Sequence, residues 1–184
     1  MSVNMPPMKS SDEATQEQLQ LAQAQGRALG DALRQMINQE AHGAEKQAGD
    51  YLVGYAVEHA EGMYMLQGGE LVWYDPRDEN AHIEISVRDA ADGRFIPGLT
   101  VRVSVLDSNE REVGTNEHPF IWHPWLYHYG RNWVLPGDGE YILHIYIEAP
   151  EFPRHDKANG LRYARPAEVE FQNVRIETGR KISS

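Results

Sequence analysis

The chain of 184 residues contains no cysteine. That absence removes disulfides, thiolate nucleophiles and cysteine-based zinc sites together. Basic residues are scarce, with 17 Lys and Arg against 28 Asp and Glu, for a net charge of −11. Such a surface repels nucleic acid and anionic membrane and draws in cations. No apolar run approaches the roughly 20 residues of a membrane-spanning helix, so direct membrane insertion is not expected. The opening "MSVNMPPMKSSDEATQEQ" lacks the charged-then-apolar pattern of a secretory leader. That fits a cytoplasmic chain or one that begins after a removed leader. Serine-hydrolase, P-loop, HExxH zinc and dinucleotide glycine motifs are all missing. Glu84 and Asp156 could be posed as a carboxylate pair, but nothing in the sequence fixes their separation. No set of convergent catalytic roles can be named, and the chain is not expected to be an enzyme.

What is present falls into two regions. From Ser11 to about Ala48 the chain is rich in Gln, Ala, Leu and Glu, which predicts helix. "SSDE" offers a capping box with Ser10 as cap and Glu13 three residues on. Leu29, Leu33, Met36 and Ile37 form a narrow apolar stripe, weakly extended by Leu19 and Ala22, suited to packing on the chain's own domain or on a second copy. From Asp50 the period changes to two. "HIEISVR" alternates, with Ile83, Ile85 and Val87 on one face and His82, Glu84, Ser86 and Arg88 on the other. "LTVRVSV", "YILHIYI" and "AEVEFQNVRIE" follow, the last with a parity shift that predicts a bulge at Gln172 and Asn173. The expected fold is mainly β: an immunoglobulin-like antiparallel sandwich over residues 50–184, preceded by a helical extension over residues 1–49. Its core is expected to hold Ile83, Ile85, Val87, Val101, Val103, Leu143 and Ile145.

The histidines are the chemically interesting residues. "HPFIWHPWLYHYG" (118–130) spaces His118, His123 and His128 five apart in a segment without an acid or a base. His82 and Glu84, two apart on one strand, project from one face and can share a cation, although polar residues on a solvated strand face are also ordinary. His128 and His155 lie in loop-like segments flanking the strand 141–147. Neutral imidazole is a common ligand of divalent transition metals, and a carboxylate favours a harder ion such as ferrous iron. His42, His59 and His144 read as structural.

Taken in order, "IPGLTVRVSVLD", "HYGRNW", "GDGEYILHIYI", "RHDKANGLRY" and "AEVEF" resemble the periplasmic ferrous-iron transport protein family, over about residues 50 to 177. The resemblance implies an immunoglobulin-like, dimeric, metal-binding accessory of iron uptake, located in the periplasm and partnered by a membrane iron permease. It also implies an iron or copper ion held by His82 and Glu84 of a His-x-Glu motif, His128 of His-Tyr-Gly, and His155 of Arg-His. The family's methionine shortly before His-Tyr-Gly has no counterpart, since no methionine follows Met65. His123 or His118 is a stand-in, or the position is vacant; of the two His123 is the candidate ligand and His118 reads as structural. Without a thioether, Cu(II) or Fe(II) is favoured over Cu(I). Trp122, Trp125 and Trp133 are expected to shield the loop from water or to serve core or dimer packing. The imidazoles of His82, His128 and His155 are expected to converge beside Glu84, one of them supplied by a second subunit if the chain dimerises. The competing reading is an interaction module assembled through the helix and the aromatic loop, with incidental histidines.

Overall fold

The structure, a computed structural model, describes residues 7–39 and 42–181. Among the described residues one helix, α1 (Gln16–Gln39), precedes eleven strands. They are β1 (His42–Ala48), β2 (Tyr51–Glu58), β3 (Met63–Gln67), β4 (Glu70–Tyr74), β5 (Ala81–Asp89), β6 (Val101–Asp107), β7 (Glu112–His118), β8 (Phe120–Ile121), β9 (His128–Trp133), β10 (Gly139–Ile147) and β11 (Ala167–Ile176). Two antiparallel sheets, ordered β1-β2-β5-β9-β8 and β11-β10-β6-β7, face each other, and β3-β4 forms a separate hairpin. The chain is therefore a mainly β sandwich with an amino-terminal helix.

Alternation builds the core. Ile83, Ile85 and Val87 of β5 are fully buried with Val101, Val103 and Val105 of β6 and Leu143, Ile145 and Ile147 of β10. These branched side chains suit a pleated surface buried on one face. The bulge is where the parity shift placed it: Tyr141 pairs with Val174 but Leu143 with Phe171, leaving Gln172 and Asn173 opposite one residue. Asn173 takes up the extra residue with φ of 55°.

The helix differs from expectation at both ends. Its cap is Thr15, not Ser10: the Gln18 amide donates to Thr15 Oγ1 at 3.3 Å and the Thr15 amide to Gln18 Oε1 at 2.8 Å. This is a Thr-x-x-Gln capping box, five residues beyond the expected one. Toward the carboxyl end, residues 42–48 are strand, not helix. β1 pairs with β2 from His42↔Val57 to Ala48↔Tyr51. Glycine at 43 disfavours helix and admits close pairing, since a Cβ there would stand 2.3 Å from the Tyr55 carbonyl oxygen.

A second difference shapes the site. The alternation of β5 predicts one solvated face, yet all nine of its residues are buried. Helix α1 lies over the polar face. A Cβ on Gly26 would fall 1.8 Å from the Asp92 carbonyl oxygen, and one on Gly30 would lie 3.2 Å from Arg88 Nη1. Farther along, Leu33 and Met36 pack with Ala56 and Leu126. The segment before the helix is tied to the 155–159 loop: Lys9 N donates to Asn159 Oδ1 at 2.9 Å and Ser11 Oγ to Asp156 Oδ2 at 3.0 Å.

Candidate metal centre

The site grows from the pairing of β5 with β9, which sets His82 opposite Asn132 and Glu84 opposite Gly130. His82 and Glu84 share a face because they are two residues apart, and His128 lies two before Gly130 on the adjoining strand. Tyr129, of opposite parity, points into the core, where its hydroxyl donates to the Ile96 carbonyl at 2.7 Å and accepts from Leu99 N at 3.0 Å. Gly130 is what lets the imidazoles approach. A Cβ there would meet Ile121 Cδ1 at 2.8 Å, and His128 Cδ2 and His82 Nε2 at 3.0 Å each.

One ligand atom from each of His82, Glu84 and His128 lies within 4.8 Å of the others. Glu84 Oε1 is 3.4 Å from His128 Nε2 and 3.8 Å from His82 Nε2. Bonds of about 2.1 Å in a tetrahedron put neighbouring donors roughly 3.4 Å apart, so small inward shifts would suffice for a first-row ion. His82 Nε2 and both His128 ring nitrogens are buried without hydrogen-bond partners. Unsatisfied buried imidazole nitrogens beside a carboxylate are what a cation would complete.

Asn132 aims His82. Its Oδ1 is 2.8 Å from His82 Nδ1 and also accepts from Glu61 N at 3.3 Å, while its Nδ2 donates to the Glu61 carbonyl at 2.7 Å. Asn132 is thereby oriented, His82 carries its proton on Nδ1, and the Nε2 lone pair faces Glu84. Glu61 Oε1 stands 3.8 Å from the same Nε2. Burial drives the His82 pKa below its ordinary value despite the nearby Glu61 carboxylate. Burial, with the neighbouring His82, lowers His128 to about 4. Burial alone would raise Glu61, but the hydrogen bond and charge of Lys181 hold it below the usual carboxylate range. Both imidazoles are therefore neutral, ligand-competent bases at neutral pH.

Residues 43–176, from β1 to β11, match the model of the Fe2+ transport protein family. The chain belongs to that family. Helix α1 lies outside the matched residues. A UPF0423 protein of Brucella abortus (strain 2308) is 28% identical over 128 residues, covering 57% of this chain. The chain spans 66% of that relative's length. The fold is shared with FetP of uropathogenic E. coli strain F11, at TM-score 0.61 and 18% identity over 75% of this chain and 95% of FetP. It is shared too with copper-reconstituted P19 of Campylobacter jejuni, at TM-score 0.62 and 19% identity over 77% and 98% of the respective chains.

Of the ligands that resemblance to the Fe2+ transport family suggested, His82, Glu84 and His128 come together and His155 does not join them within the chain. His155 is 91% exposed, its Nδ1 2.9 Å from Glu13 Oε2. Glu13 precedes α1, whereas Met36, in the last turns of α1, borders the cavity beside Glu84 and His128. Twenty-odd helical residues at about 1.5 Å each separate the two places by roughly 30 Å. Arg162 reinforces this arrangement, gripping both oxygens of Asp89 at 2.9 Å at the far end of β5 from His82. His123 is close but outside the three-donor group, its ring 6.1 Å from that of His128 and its Nδ1 buried without a partner. His118 is buried and structural: its Nε2 accepts from Trp133 Nε1 at 3.1 Å. Of the two roles expected for the tryptophans, core packing holds for Trp133 and shielding does not hold for Trp122 and Trp125. Trp133 belongs to the core, while Trp122 and Trp125 are 68% and 43% exposed. Asn132 and Glu61 were not singled out from sequence. Asn132 had a signal, as the second residue from Gly130 on the same strand face, whereas Glu61 sits in a connection without periodicity.

Proposed function

We propose that this member of the Fe2+ transport family binds ferrous iron at His82, Glu84 and His128 as cargo, without chemical turnover, and accepts Cu(II) at the same donors. The observation that carries this reading is the pair of buried, partnerless imidazole nitrogens facing one Glu84 oxygen at 3.4 and 3.8 Å. Two imidazoles and a carboxylate with further positions open suit Fe(II). The copper held by P19, which shares the fold, supports including that ion. The excess of acids would concentrate cations near the chain. The same reading assigns the protein to the periplasm, to delivery of iron to a membrane permease, and to a homodimer. A second copy is the available source of a His155 ligand.

The test is titration of the full chain with Fe(II) under anaerobic conditions and with Cu(II). We expect one ion per chain, with affinity lower by about 10-fold or more in His82→Ala and His128→Ala. Equal affinity in wild type and variants would sink the proposal. The exposed Trp122 and Trp125 favour a second reading, an interaction module assembled through that loop. It predicts that Trp122→Ser with Trp125→Ser abolishes self-association or partner capture while metal titration is featureless in every variant.

A further inference from the structure

Between α1 and the outer face of the β1–β2–β5–β9 sheet lies a cavity of about 30 Å³. Its floor includes Glu84 and His128, and its helical wall is Leu33, Met36 and Ile37. A space this size holds an occupant on the scale of one water or one ion. In that wall Leu33 and Ile37 are hydrocarbon, so among the described residues the Met36 thioether is the sole side-chain donor the helix brings to the cavity. Met36 is buried, and its packing partners Ala56 and Leu126 adjoin the proposed ligands. Ala56 is the cross-strand neighbour of Glu84, and Leu126 is two residues before His128.

We infer that Met36 supplies a soft ligand from the amino-terminal helix, completing the His82–Glu84–His128 site for cuprous ion. This rests on the metal reading above and adds a donor from outside the family-matched residues. A thioether discriminates by softness: it favours Cu(I) and contributes little to Cu(II) or Fe(II), which the imidazoles and carboxylate serve. The sequence expectation that Cu(I) is disfavoured then reverses, because the thioether arrives from a segment far from the histidine motifs. The bland alternative is that Met36 merely fills space beneath the helix, as methionine does in many cores. Leucine would fill that space about equally well, which makes the two readings separable.

The experiment compares the full chain with Met36→Leu, using Cu(I) in competition with a chelator and Cu(II) by direct titration. Met36→Leu should weaken Cu(I) by about tenfold or more and leave Cu(II) within about threefold. Independently, X-ray absorption at the copper edge of Cu(I)-loaded, selenomethionine-labelled protein should show a copper–selenium path, absent from labelled Met36→Leu. If the variant folds poorly, a wild-type spectrum without that path still overturns the assignment, and single labelled Met→Leu variants at the other five methionines, each keeping the path, assign it to Met36. Unchanged Cu(I) affinity, or a Cu(I) spectrum without selenium, overturns the thioether assignment while leaving the His/Glu site standing. No binding of Fe(II) or either copper ion by wild type overturns both.

Discussion

At the scale of single residues, Gly130 and Asn132 determine whether the donors can be used. The imidazoles of His82 and His128 approach each other over the α-carbon of residue 130, where a methyl group would intrude to 3.0 Å of both. Gly130→Ala should therefore displace both rings and Ile121, costing about 1–3 kcal/mol of stability by overpacking and weakening metal binding in the same protein. Urea denaturation and Cu(II) titration measure the two effects, and a variant as stable and as tight as wild type would show that the close approach is not required. Asn132→Asp is a subtler change, because the oxygen facing His82 is kept while the hydrogen bond donated to Glu61 is lost. The added negative charge beside His82 should favour its protonated form, so metal binding should become more sensitive to mild acid than in wild type. Titrations at neutral pH and at about pH 5.5 separate the proteins. The donors themselves were legible from sequence: strand parity paired His82 with Glu84, and the His-Tyr-Gly motif supplied His128. Within one chain His155 stands apart from the other three, because a motif records no path in space and the loop that bears it is held by Glu13 and by the Arg162–Asp89 pair.

At the scale of elements, helix α1 turns a strand face that alternation marks as solvated into a buried one. The sequence revealed the helix and its stripe, but not where it would lie. The apolar positions Leu33 and Met36 meet Ala56 and Leu126, which are remote in sequence, and glycines at 26 and 30 allow backbone approach that no periodicity announces. Its carboxyl boundary was missed for a related reason. Residues 42–48 have helix-compatible composition, and the pairing of β1 along the whole of β2 overrides that preference. The cap provides a test of how much the cover depends on helix stability. Thr15→Ala removes the acceptor for the Gln18 amide and should cost about 1 kcal/mol. Hydrogen exchange should rise in the first turns of α1 while the strands of the sandwich keep their protection; equal protection in both proteins would mean that packing alone holds the helix end.

At the scale of the whole molecule, the buried histidines make folding depend on pH well above the usual carboxylate range. Burial depresses His82, lowers His118 to about 3 and lowers His128 to about 4. In an unfolded chain each titrates near about 6.5. Between that value and the folded values the unfolded state holds a proton at each site where the native state does not, so the unfolded state binds more protons. Stability therefore rises with pH across this window and is lost as pH falls below about 6.5 toward 4. Each fully affected histidine contributes a slope of about 1.4 kcal/mol per pH unit, and three acting together reach roughly 4. Low-lying carboxylates such as Glu61 add to the loss only at lower pH, nearer their own range. Metal binding has the same sign, since an ion on His82 and His128 stabilises only the folded, unprotonated pair. A site of ordinary imidazoles would release its ion as pH passes about 6.5; burial defers proton competition in the folded protein, so affinity should persist to about pH 5 and fail together with the fold. Urea midpoints measured from pH 7.5 to 4.5, with and without Cu(II), test this. The expected result is a steep decline in the apoprotein beginning near pH 6.5, shallower in His118→Gln after correction for that variant's lower starting stability. A midpoint independent of pH over that range would mean that the three imidazoles are hydrated or already charged in the folded chain, and the burial argument for a neutral ligand pair would fail with it.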